Sequence, residues 1–176
     1  IQNSEEALQR VIPVPEHKKG KLIFTRSLKE AVENADYIQE SSPEVESIKI
    51  PLLSEISKYA KPNAIIGSST SGLLPSRLQS EMVNPERFVV AHPFNPVYLL
   101  PLVEVVGGEK TSPEAIQTAM EFYEMIGMKP LKVRVEIDGF LADRLLEALW
   151  REILHLINDN VATTQELDDA IVYGAG

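Results

Sequence analysis

Short β-rich runs alternate with stretches of helical periodicity along most of the chain. A run at residues 21–25 precedes a helical pattern at 28–34, one at 37–40 precedes 44–59, and one at 64–68 precedes 75–82. This alternation predicts parallel strands joined by crossover helices. Two further β-rich runs follow at 88–91 and 102–106, then apolar residues at helical spacing over 112–126 and a last strand at 131–135. The expected architecture is α/β: an incomplete doubly wound sheet of the Rossmann type. After Asp138-Gly139 the texture changes to a leucine-rich helical pattern over 140–157, and Thr163-Thr164-Gln165-Glu166 carries a helix-start signal. We therefore expect one domain over 1–136 and the start of an all-α domain over 137–176. Residues 1–10 read as the tail of an amphipathic helix without a capping signal before it, and 173–176 stop just after a helix. Both ends suggest a piece of a longer chain.

Composition narrows the partners. Seventeen basic against 26 acidic side chains give a formal charge of -9 with no lysine or arginine block, which argues against nucleic acid. No apolar run is long enough to cross a bilayer, so no membrane partner is expected, and cytoplasm is the default compartment. Cysteine is absent, and His17, His92 and His155 are too far apart for a local ligand motif, so no metal is expected.

The strand run at 88–91 leads directly into His92-Pro93-Phe94-Asn95-Pro96. In open α/β sheets the loops at strand carboxyl ends line the ligand crevice. An imidazole there can take the proton of an alcohol while hydride leaves carbon. The alternative is a hydrogen-bonded loop histidine without a catalytic use. Glu104 sits inside the aliphatic run Leu102-Val103-Glu104-Val105-Val106. A buried carboxylate needs a partner, and His92 is the natural one; a glutamate on the solvent face of an edge strand satisfies the same alternation. Ser68-Ser69-Thr70-Ser71-Gly72 ends another strand in hydroxyls, suited to a ligand or simply to a capped turn. The segment from Glu40 to Glu44, with Pro43 opening a helix, is an equally weak signal, and Lys49 by itself is most often just a solvated helix lysine.

Taken together and in this order, these segments resemble the 3-hydroxyacyl-CoA dehydrogenase superfamily, through His92, Asn95-Pro96 and Leu102-Val103-Glu104 above all. The resemblance implies NAD as cofactor and a small hydroxy acid as substrate. It implies His92 and Glu104 as the catalytic pair, Ser71 as a hydroxyl-binding serine and Asn95 beside nicotinamide and substrate. Glu44 and Lys49 would lie near the cofactor, and the helical domain would form a homodimer. Two departures stand out. No GxGxxG phosphate turn occurs among the nine glycines. Asp143, in Gly139-Phe140-Leu141-Ala142-Asp143-Arg144, replaces the asparagine of the acyl-CoA members, and its charge suits a cationic substrate. The stretches 92–101 and 143–152 look most like the carnitine-oxidising branch, in which Phe94, Tyr98 and Trp150 could face a trimethylammonium group, although packing explains Trp150 equally well. An acyl thioester or L-gulonate remains a rival substrate, and a catalytically silent, crystallin-like protein the rival class.

Overall fold

The computed structural model describes residues 20–175, so the helix expected at 1–10 and His17 lie outside the described residues. The chain divides into two compact units, meeting between Asp138 and Gly139.

The first unit carries a five-stranded sheet in sequential order. Helix α1 (Leu28–Val32) starts at Ser27, whose hydroxyl accepts from the Glu30 N–H. It is followed by β1 (Tyr37–Glu40), α2 (Glu46–Tyr59), β2 (Ile65–Ser68), a short α3 (Pro75–Leu78) and β3 (Phe88–Pro93). Next come β4 (Leu102–Val106), α4 (Pro113–Met125) and β5 (Lys129–Val133). Ser112 caps α4 by accepting from the Ala115 N–H, with Pro113 at the first helical position, where no N–H is required.

Pairing is parallel except between β3 and β4. The exception has a simple cause. Parallel neighbours need a long crossover, usually a helix, whereas no helix lies between residues 93 and 102, so the chain turns back on itself.

Side-chain alternation then divides the sheet into two faces. Ile65, Val89, Ala91, Val103 and Val105 form one core with Ala115, Ala119 and Tyr123 of α4. The opposite parity places Ile38, Glu40, Ile66, Ser68, Val90, His92 and Glu104 on the other face, where Lys49 of α2 reaches Glu40.

Two expectations are corrected. Residues 21–25 form no strand, and Leu22, Ile23 and Phe24 are exposed. A β-rich run becomes a strand only when a neighbour takes up its backbone hydrogen bonds, and among the described residues β1 pairs with β2 alone. The last strand begins two residues earlier than expected, with Lys129 opposite Leu102. Pro130 obscured it, yet a proline is tolerated because β5 is an edge strand among the described residues.

The second unit comprises α5 (Ala142–Asn158), α6 (Thr164–Ala170) and a π-helical turn (Ile171–Ala175). Thr163 and Glu166 form a reciprocal capping box at the start of α6. Leu149, Trp150, Ile153, Ile157 and Leu167 line a cavity of about 500 Å³ within this unit, so Trp150 is a wall of that cavity.

Candidate active site

The antiparallel register sets His92 directly opposite Glu104. Opposed residues on one face have Cβ atoms about 4.5–5.5 Å apart, within reach of an imidazole and a carboxylate. His92 Nδ1 lies 3.1 Å from Glu104 Oε2. Glu104 is fully buried and His92 is 5% exposed, which excludes the solvent-facing glutamate as a description of this strand. The pairing offsets a desolvation that neither group would bear alone. Phe94 tilts toward the imidazole with ring centroids 4.9 Å apart. Asn95 and Tyr98 stand exposed on the loop between the strands, where the Leu99 and Leu100 N–H groups both donate to the Pro96 carbonyl.

Glu44 and Ser71 are brought together by the turn that follows β2. Glu44 Oε1 accepts from the Ser71 N–H at 2.9 Å and the Gly72 N–H at 3.3 Å, and it also takes the Thr70 hydroxyl. The carboxylate thus fills the turn as a bound anion fills a ring of amides. Ser71 itself is exposed. Lys49 is not the solvated helix lysine that its sequence position allows. Its ammonium is buried, donating to both oxygens of Glu40 at 3.0 and 3.1 Å and to the Ser42 carbonyl at 2.9 Å. Its contact with Glu44 Oε2 is longer, at 3.7 Å.

Glu40 is not among the site residues expected from the sequence. Its carboxylate also accepts from the Ser68 hydroxyl at 2.6 Å. Burial alone would raise its pKa, but the hydrogen bonds from Ser42, Ser68 and Lys49 outweigh it and hold the group below the ordinary glutamate value. The available signal was the alternation that puts Glu40 on the same face as buried Ile38.

A second polar chain crosses the other face. Tyr37 donates to Tyr123 at 3.0 Å, Tyr123 donates to Gln39 Oε1 at 2.6 Å, and Gln39 Nε2 donates to Ser69 Oγ at 2.7 Å and to the Ala91 carbonyl at 3.1 Å. Burial, with Tyr123 beside it, pushes the Tyr37 hydroxyl well above the usual tyrosine range.

Asp143 belongs to the second unit, in the first turn of α5, where a carboxylate complements the helix dipole. Among the described residues no acid, histidine or cysteine cluster could hold a metal, and no helix is long and apolar enough to cross a membrane.

The donors at these strand ends fit part of a dinucleotide. The exposed Ser71 hydroxyl and the Asn95 amide suit a nicotinamide and a substrate hydroxyl. The sequence contains no GxGxxG turn, the usual grip on a pyrophosphate.

The family model for the 3-hydroxyacyl-CoA dehydrogenase NAD-binding domain matches residues 5–137, and that for the C-terminal domain matches 139–176. Over all 176 residues the chain is 58% identical to an L-carnitine dehydrogenase of Pseudomonas putida and 54% identical to one of Oceanobacillus iheyensis. It spans 55% and 57% of those relatives' lengths, respectively. Among solved structures, FHMPC 5-dehydrogenase, described as an NAD+-dependent dismutase, superimposes with a TM-score of 0.86 at 34% identity. That match covers 98% of this chain and 55% of the other. The (S)-3-hydroxybutyryl-CoA dehydrogenase of Ralstonia eutropha gives 0.78 at 26% identity, over 86% of this chain and 53% of the other. The chain belongs to the 3-hydroxyacyl-CoA dehydrogenase family.

Proposed function

We propose that the protein oxidises the 3-hydroxyl of L-carnitine to a ketone, using NAD, with His92 as general base. The observation that carries the chemistry is the buried His92–Glu104 pair; the substrate rests on the relatives described as L-carnitine dehydrogenases.

Oxidation of a secondary alcohol removes the hydroxyl proton and the hydride on the same carbon. NAD, when bound, supplies the hydride acceptor. Glu104 engages Nδ1 of His92, so the exchange of a proton with the substrate hydroxyl falls to Nε2. The carboxylate holds the ring in one orientation and stabilises the imidazolium as it forms. The Ser71 hydroxyl and the Asn95 amide orient the substrate hydroxyl and the nicotinamide, while Phe94 and Tyr98 offer aromatic faces to a trimethylammonium group. Glu44 supports this arrangement by holding the Ser71 turn.

The exposed leucines of α5, Leu145, Leu146 and Leu154 among them, support a homodimer formed through the helical domain. The test of function is kcat/KM of the full-length protein, followed by NADH formation, for L-carnitine, 3-hydroxybutyrate, 3-hydroxybutyryl-CoA and L-gulonate. Carnitine should be preferred. Faster turnover of the thioester or of gulonate would move the protein to another branch, and no turnover of any of them would favour a silent structural protein.

A further inference from the structure

We propose that Glu40 is a positioning residue: by neutralising Lys49 it leaves Glu44 available to hold the turn that presents Ser71. The proposal rests on the reading of Ser71 as a substrate-orienting group.

Three charged groups, on β1, on the loop after it and on α2, make the device. Lys49, on α2, is 1% exposed and sits between two carboxylates, Glu40 at 3.0 Å and Glu44 at 3.7 Å. Only the first lies within hydrogen-bond distance, and the ammonium's remaining contact is the Ser42 carbonyl. Glu40 is as buried as the lysine, fixed by Ser68 and by the Ser42 N–H. Glu44 is different, with 45% of its side chain exposed and its other oxygen on the N–H groups of Ser71 and Gly72. A buried ammonium must keep a counter-charge. As long as Glu40 provides it, Glu44 is free to serve the turn.

The position supports a role in geometry. Glu40 pairs with Ser68, and Ser68 with Val90, along one row of the sheet, while His92 and Glu104 lie on the same face one row nearer the strand ends. Glu40 therefore lies one row before the imidazole and two strands away from it, and Ser71 follows Ser68 by three residues.

Removing the Glu40 charge leaves Glu44 as the nearest carboxylate to Lys49. Glu44, with nearly half of its side chain exposed, has room to answer, and its move to the lysine takes the acceptor away from Ser71 and Gly72. If Lys49 loses its charge as well, Glu44 has no reason to leave. The effect of Glu40→Gln should therefore be reversed by Lys49→Met.

The test uses the full-length protein with two readouts: amide hydrogen exchange of the segment 69–73 without ligand, and kcat with L-carnitine and NAD. Glu40→Gln should raise exchange in that segment about tenfold and lower kcat by about 10- to 100-fold, the scale of a misplaced group, with KM for NAD changed less. In Glu40→Gln/Lys49→Met both readouts should recover toward wild type. A lower Tm in Glu40→Gln with wild-type exchange and kcat would overturn the proposal, leaving Glu40 a stability residue only. A double variant as impaired as the single one would also overturn it. If Glu40→Gln does not fold, the double variant decides alone: near-wild-type exchange supports the proposal and loosened exchange overturns it. If the wild type oxidises no hydroxy acid, the functional reading fails while exchange still decides the device.

Discussion

His92 and Glu104 are opposite residues of a single antiparallel ladder, so the 3.1 Å between imidazole and carboxylate is set by strand register rather than by loop conformation. A pair held in this way is organised before any ligand arrives, which is the condition for efficient proton transfer in a bound complex.

Replacing the imidazole should accordingly affect chemistry more than binding. His92→Gln is expected to lower kcat by at least about 100-fold, the scale of a general base, with KM little changed. Steady-state kinetics on L-carnitine check this, and a wild-type kcat would remove His92 from the mechanism.

Glu104 should act through His92. Groups that work as a unit are not additive, so His92→Gln/Glu104→Gln should be hardly slower than the slower single variant. A double-mutant cycle with fully additive losses would assign Glu104 an independent role.

Substrate charge gives a third measurement. Asp143→Asn removes a negative charge while keeping the side chain's shape, and it should narrow the preference for L-carnitine over 3-hydroxybutyrate. An unchanged ratio of the two kcat/KM values would leave Asp143 as a helix-start residue.

Acid stability should report on Glu40. Its folded pKa lies below the ordinary 4.5, so the stability it contributes is complete above 4.5 and is lost as pH falls through the lower folded value. In that window the unfolded chain binds the extra proton, so stability rises with pH. Glu40→Gln should flatten this part of the curve, as measured by denaturant unfolding between pH 7 and pH 3; an equally steep curve would assign the loss to other carboxylates.

Gly67 is required by a close approach. A Cβ there would lie 2.7 Å from Gln39 Oε1 and 2.8 Å from the Tyr37 hydroxyl, both tethered through Tyr123. Gly67→Ala should cost about 1–3 kcal/mol, the usual scale of overpacking. Chemical denaturation checks the cost, and an unchanged midpoint would show that the tyrosine–glutamine chain yields easily.

Much of this architecture was legible because hydrophobic period and turn residues agree locally. The runs that became β1 to β4 and the helical patterns between them needed no long-range information. The 21–25 run misled because strand formation depends on a partner that local composition cannot specify. The lysine contact was likewise illegible: Glu40 and Lys49 are nine residues apart on different elements, and only the packing of α2 on the sheet joins them. His92 and Glu104 could be matched by chemistry, but their register depended on β4 reversing direction, which the missing helix between them implies only in retrospect.

The reversal between β3 and β4 has a consequence for how such a protein diversifies. Both ends of the 94–101 segment are anchored in one ladder, while the segment itself, with Asn95, Val97, Tyr98 and Leu99, is exposed. Substitutions there alter what the loop presents to a substrate without disturbing the register beneath it. On the proposed function, substrate scope is thereby separated from proton chemistry, so a lineage could exchange one hydroxy acid for another by mutating the loop while inheriting the His92–Glu104 pair unchanged.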